Sequence, residues 1–212
     1  MEHDKRDLAA LFNHYGSDKD INGYVQLYDT LLRTLRDHVV TLVEIGIGTL
    51  LPGVSSSMLG YGQAHYRPGG SLRAWRDYFA NEKSRIIGLD VQPDTQLTDE
   101  PRIETCICDS TRGRDVAALM KKLLIAPDSL DVVIDDGSHL DTDQLKTLQS
   151  FYRFVRPDGL YIIEDIYPGS GLSANPKIIQ EIVGRDAFFF VGVTNNLCVI
   201  HKRALASDRR GY

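Results

Sequence analysis

A chain of 212 residues, 42% hydrophobic and 25% charged, has the length and composition of one globular domain with a sizeable core, which sets aside disordered and collagen-like classes. Its 24 basic and 29 acidic residues leave a net charge of −5, so the basic surface that nucleic acid requires is missing. The three cysteines, Cys106, Cys108 and Cys198, show no C-x-x-C pair or zinc-type spacing, and no apolar run approaches the about 18 residues of a membrane span.

Residues 1–37 read as an N-terminal helical segment. Its opening "MEHDKRDLAALF" is charged and amphipathic and lacks the apolar stretch of a secretory leader, so a cytoplasmic protein without a membrane partner is expected. As an exposed amphipathic segment it is compatible with a homo-oligomer, a dimer or a tetramer. Five short runs rich in Val and Ile follow: "HVVTLVEIG" (38–46), "SRIIGLDV" (84–91), "RIETCICD" (102–109), "LDVVIDD" (130–136) and "GLYIIED" (159–165). Three of them are apolar almost without alternation, as in strands covered on both faces. In the third run, period-2 spacing predicts that Cys106 and Cys108 are buried on one face.

Between the runs lie helical patterns: "SLRAWRDYF" (71–79), "GRDVAALMKKLL" (113–124) and "DTDQLKTLQSFYRFV" (141–155). The last carries the stripe Leu145, Leu148, Phe151, Tyr152 and Val155, with Asp141 or Thr142 as N-cap and "RPDG" (156–159) as its stop. Strands alternating with helices predict right-handed βαβ units and a parallel sheet. "DAFFFVGV" (186–193) and "NLCVIHK" (196–202) are separated only by Thr194-Asn195, so they must form an antiparallel hairpin. The connection 49–70, with five Gly and two Pro, shows no helical stripe and reads as a long active-site loop.

Five parallel strands closed by a terminal hairpin is the element order of class I methyltransferases, a Rossmann-like seven-stranded fold, here in one domain spanning 1–212. In such α/β sheets ligands bind beyond the carboxyl ends of strands. The first strand ends Glu44-Ile45-Gly46-Ile47-Gly48, the second in Asp90 and the third in Cys108-Asp109-Ser110. Two glycines allow close backbone approach and Asp90 suits a pair of ribose hydroxyls. A dinucleotide fingerprint would need glycine at position 51, which is Leu, and a helix opening at once. S-adenosylmethionine has no phosphate and needs neither, and Asp109 and Ser110 could serve its adenine.

The fourth and fifth strands each run into paired carboxylates, Asp135-Asp136 and Glu164-Asp165, with no Lys or Arg adjacent in sequence. Neighbouring strands would bring Asp136, Glu164 and Asp165 to one rim, where three carboxylates repel unless a cation joins them. All-oxygen ligands favour a hard divalent ion, Mg²⁺ first, with Mn²⁺ or Ca²⁺ as alternatives. His139, three residues past Asp136, is placed to act as general base on a hydroxyl. Either Asp135 or Asp141 could orient it.

At "EIGIG", "GGSLRAWRDYF", "IIGLDV", "IDDGSH" and "LYIIEDI" the chain resembles the metal-dependent sugar O-methyltransferases of macrolide biosynthesis, of the mycinamicin and tylosin type. The novobiocin sugar enzyme, the cephalosporin-hydroxylase-like group and the catechol-type O-methyltransferases are more distant. The resemblance covers about 15–203 and includes "YGSDKDINGYVQLYDTLL". It implies Mg²⁺ on Asp136, Glu164 and Asp165, His139 as base, and Gly70-Ser71 near the methionine carboxylate of the cofactor. The implied acceptor is a hydroxyl on a sugar of a glycosylated secondary metabolite, as in antibiotic biosynthesis. A catechol-like acceptor and a non-catalytic binding protein of the same fold are the alternatives. Tyr61, Tyr66, Tyr167 and Met58 are candidate lining for the acceptor pocket.

Overall fold

The computed structural model describes residues 7–54, 56–61, 65–175, 177–185, 187–192 and 196–204. The first six residues and the Thr194-Asn195 hairpin connection therefore lie outside the described residues. By its contacts the chain divides into two compact units, Met1–Ile107 and Cys108–Tyr212. No described helix is long and apolar enough to cross a membrane.

The first unit holds helices α1 (Leu8–Tyr15), α2 (Val25–Leu32) and α3 (Gly70–Tyr78) and strands β1 (Thr41–Ile45), β2 (Arg85–Asp90) and β3 (Ile103–Ile107). Asp7 starts α1 by accepting the Ala10 N–H at 2.8 Å, and Gly16, at φ 74°, ends it in the left-handed conformation that glycine takes without strain. The strands are parallel, β2 between β3 and β1, with Leu42 opposite Ile86 and Ile86 opposite Ile103. Every residue of β1 after Thr41 and of β2 after Arg85 is buried, as the uninterrupted apolar runs predict. Trp75 of α3 packs edge-on against Phe12 of α1 at 4.9 Å and Tyr28 of α2 at 5.1 Å, a centre worth about 0.5–1.5 kcal/mol per aromatic pair beyond area burial. In α1 the apolar residues Leu8 and Phe12 are buried within this unit. Cys106 departs from expectation. It is only half-buried because β3 is an edge strand, whereas Cys108, just past the strand, is buried.

The second unit holds α4 (Gly113–Lys122), β4 (Leu130–Asp135), α5 (Asp141–Phe151), β5 (Val155–Ile163), α6 (Gly171–Ala174), α7 (Lys177–Val183), β6 (Ala187–Gly192) and β7 (Leu197–Lys202). β5 runs parallel to β4 and antiparallel to β7, and β7 pairs with β6 as the predicted hairpin. Helix α5 stops at Phe151, and "RPDG" lies inside β5 rather than after a longer helix. Val155 already pairs with Leu130, and the next pairs are Val132 with Leu160, so Arg156–Gly159 bulge out of the ladder. That bulge accommodates Pro157, which has no N–H to donate. The N-cap position of α5 is Leu140, without a side-chain bond, so Asp141 and Thr142 do not cap it. Asp141 instead accepts the Gly171 N–H. Between β5 and the hairpin lie α6 and α7, with Ile179 and Val183 of α7 buried one turn apart.

Candidate active site

In the first unit β1 runs out into Gly46-Ile47-Gly48, with φ 79° at Gly46 and 74° at Gly48. Several backbone groups of this turn are claimed by other segments. The Gly46 N–H donates to Leu89 O at 2.8 Å and continues the ladder with β2. The Ile47 N–H donates to Asp90 Oδ2 at 3.0 Å, while Asp90 Oδ1 accepts the Gln92 N–H at 2.9 Å. The Ile47 carbonyl accepts the Gly69 N–H, at 3.0 Å, from the chain entering α3. It also accepts the Tyr66 hydroxyl at 2.9 Å, which lies 3.0 Å from Gly48 O as well. A Cβ at Gly48 would sit 1.9 Å from that hydroxyl, so a side chain there would have to push Tyr66 aside in a backbone conformation, φ 74°, that already disfavours it.

Asp90 is buried, yet a carboxylate offers about four lone-pair sites and two are used here, leaving acceptor capacity for a ligand hydroxyl. Asp94 secures the next stretch, accepting the Leu50 N–H at 2.8 Å and the Thr49 hydroxyl at 2.5 Å. Gly70 and the buried Ser71 open α3, and no side chain caps that end. Glu44 is fully buried and pairs with Lys19, itself 1% exposed, at 3.1 Å. The sequence contained Lys19 in "GSDK" but gave it no role, since nothing in one sequence signals that two distant charges are buried together. Glu44 therefore braces the end of β1 from inside.

At the start of the second unit, Asp109 folds back on its own loop. Its Oδ1 accepts the Thr111 N–H at 3.1 Å and hydroxyl at 2.6 Å, and Oδ2 lies 3.0 Å from Arg112 Nε. Ser110 Oγ is 2.9 Å from Thr147 Oγ1 of α5.

Farther along, β4 and β5 end side by side: Asp135 pairs with Ile163, and the Glu164 N–H donates to Asp135 O at 2.9 Å. Both chains then turn through left-handed non-glycine residues, His139 at φ 58° and Asp165 at φ 54°. The turns bring His139 Nε2 to 3.2 Å from Asp136 Oδ1 and 3.3 Å from Asp165 Oδ2. One ligand atom from each of Asp136, His139 and Asp165 lies within 4.8 Å of the other two. Ligands held about 2.1 Å from a Mg²⁺ ion are roughly 3 Å apart when adjacent and 4 Å when opposite, so the carboxylates of Asp136 and Asp165 are close enough to share a hard divalent cation, with His139 beside it.

The expected trio is altered in one member. Glu164 does not join the tight group; its side chain is buried and acts on it by charge. Burial of His139 opposes its protonation, but the hydrogen bond it donates to Asp136 and the charges of Asp136, Asp165 and Glu164 together raise its pKa to about 9. Neither residue expected to orient the imidazole hydrogen-bonds to it: its partners are Asp136 and Asp165. Asp135 is buried, which raises its pKa to about 7, and Tyr161 Oη lies 3.4 Å away. Of the candidate pocket residues, Tyr61 and Tyr167 are exposed, Tyr66 belongs to the glycine turn, and Met58 Cγ lies 2.9 Å from the Cβ position of Gly48.

No family model matches the chain. It is 35% identical over 160 residues to the 8-demethyl-8-alpha-L-rhamnosyl tetracenomycin-C 2'-O-methyltransferase of Streptomyces olivaceus, covering 75% of this chain and 37% of that protein. It is 32% identical over 179 residues to the mycinamicin VI 2''-O-methyltransferase of Micromonospora griseorubida, covering 82% and 40%. The chain thus spans about two fifths of the curated relatives it matches. Among solved structures it matches the methyltransferase of the mycinamycin biosynthetic pathway in complex with Mg, SAH and mycinamycin VI, with TM-score 0.72 and 26% identity over 97% of this chain and 56% of that one. The fold is the seven-stranded class I methyltransferase fold, mostly parallel with a C-terminal antiparallel hairpin.

Proposed function

The chain is homologous to the sugar O-methyltransferases of glycosylated-antibiotic biosynthesis, and on that footing we propose that it transfers a methyl group from S-adenosylmethionine to a hydroxyl of a glycosylated natural product, with Mg²⁺ as its metal. The observation that carries the reading is the convergence of Asp136, His139 and Asp165 at the ends of two adjacent core strands. In the first unit the Gly46-Ile47-Gly48 backbone and the start of α3 at Gly70-Ser71 receive the cofactor, and Asp90 takes the ribose hydroxyls.

In the second unit the carboxylates of Asp136 and Asp165 hold the ion, with the buried charge of Glu164 reinforcing the site. A bound divalent ion supplies Lewis-acid polarisation of the acceptor hydroxyl. His139, in its neutral form, takes the hydroxyl proton on Nε2 as the oxygen attacks the sulfonium methyl. The C–S bond breaks, and the products are a methyl ether and S-adenosylhomocysteine. The adjacent dication opposes protonation of the imidazole, which Asp136 and Asp165 otherwise favour.

The test is methyl transfer from labelled S-adenosylmethionine to a panel of rhamnosylated and related glycosylated polyketides. Turnover should vanish in EDTA and return with Mg²⁺, and a folded His139→Ala enzyme at saturating Mg²⁺ should lose roughly 10²- to 10⁴-fold in kcat with cofactor affinity kept. Full turnover in chelator would remove the metal, and a His139→Ala loss below about tenfold would place the base elsewhere.

A further inference from the structure

The turn after β5 ends a parallel strand and also delivers Asp165 to the carboxylate cluster. On one side it is tied to the ladder, where the Glu164 N–H donates to Asp135 O at 2.9 Å. On the other, the Ile166 N–H donates to Asn196 O at 2.8 Å. Between these anchors lies the peptide joining Glu164 to Asp165, and a side chain from α5 holds it: Gln144 Nε2 donates to Glu164 O at 2.9 Å. The Glu164 carbonyl and the Asp165 N–H share one rigid plane. Fixing the carbonyl therefore fixes the rotation from which Asp165 departs at φ 54°.

Gln144 is an unusual choice for a purely structural position. It is 2% exposed, and its Oε1 has no hydrogen-bond partner among the described residues. A buried acceptor without a partner costs stability, so the amide is buried for the sake of one bond. An apolar side chain of similar volume would remove that orphaned oxygen, at the cost of leaving the Glu164 carbonyl without this donor.

We propose that Gln144 is a positioning residue for the metal cluster: its amide clamps the peptide before Asp165 so that this carboxylate meets Asp136 and His139. The inference rests on the metal-site reading above and assigns a role to a residue outside the ligand set. Side chains that hold metal ligands in place typically govern affinity by 10- to 100-fold, roughly the range expected here.

The experiment is Mn²⁺ titration by electron paramagnetic resonance, with Mg²⁺ competition, on wild type and Gln144→Leu, alongside thermal melting and calorimetric S-adenosylhomocysteine binding. Gln144→Leu should remain folded with a cooperative melt, bind the cofactor product unchanged, and bind Mn²⁺ about tenfold or more weakly. Gln144→Met serves as a second variant of the same kind. Mn²⁺ affinity within twofold of wild type, or a fall in melting temperature with affinity kept, would overturn the proposal. Failure of both variants to fold would do the same, because the amide would then be a stability element. If wild type itself binds no Mn²⁺ that Mg²⁺ displaces, the metal reading falls first, and that outcome is distinct from a variant that matches a binding-competent wild type.

Discussion

Two strand-end turns in this protein do comparable backbone work with opposite kinds of residue. After β1 the chain turns through glycines at φ 79° and 74°, and after β5 through an aspartate at φ 54°. Glycine adopts that conformation freely, whereas an L-residue with a side chain is disfavoured there by about 1–2 kcal/mol. The first turn is defined by what surrounds its backbone: Asp90, Tyr66, Gly69 and Leu89 each take one of its polar groups. Its product is a shape. The second turn is defined by the side chain it presents, since its strain brings a carboxylate within 3.3 Å of His139. Its product is a charge constellation. At these two turns, the left-handed residue that bears a side chain is the one whose side chain enters the cluster.

The comparison breaks first at Gly48. If the turn after β1 works by shape, Gly48→Ala should be severe, because the new Cβ would lie 1.9 Å from the Tyr66 hydroxyl at φ +74°. Calorimetry should show S-adenosylhomocysteine binding weakened by at least about 10²-fold, with a stability loss of roughly 1–3 kcal/mol. Mn²⁺ binding in the second unit should persist, and near-normal cofactor binding would show that the turn does not approach a ligand. A smaller effect sharpens the same point. Tyr66→Phe removes only the hydroxyl that bridges Ile47 O and Gly48 O. One such bond is worth about 0.5–1.5 kcal/mol, so cofactor affinity should fall roughly 2- to 10-fold while metal affinity holds.

The two turns were unequally legible in the sequence. Gly46 and Gly48 after an apolar run, and Asp90 after the next, mark the first turn because glycine pairs and strand ends are local patterns. The IDDGSH stretch and Glu164-Asp165 likewise announced a cluster, as acidic pairs after buried strands. What stayed hidden depends on non-local geometry. Which carboxylate of Glu164-Asp165 reaches His139 follows from one left-handed residue, and the clamp on that peptide comes from Gln144, 20 positions earlier. The Lys19 to Glu44 pair is a contact that no periodicity reveals. In the same way "RPDG" was read as a helix stop because Pro and Gly usually punctuate, whereas the ladder of β4 and β5 carries on around it as a bulge.

The turn after β5 keeps its left-handed backbone for the sake of the Asp165 carboxylate, and Asp165→Gly tests this at its source. Glycine relieves the positive φ and removes the ligand in one substitution. Thermal melting and Mn²⁺ titration on the same sample should show stability unchanged or raised by up to about 1 kcal/mol together with loss of ion binding. Ion binding retained in Asp165→Gly, with stability clearly lowered, would contradict it.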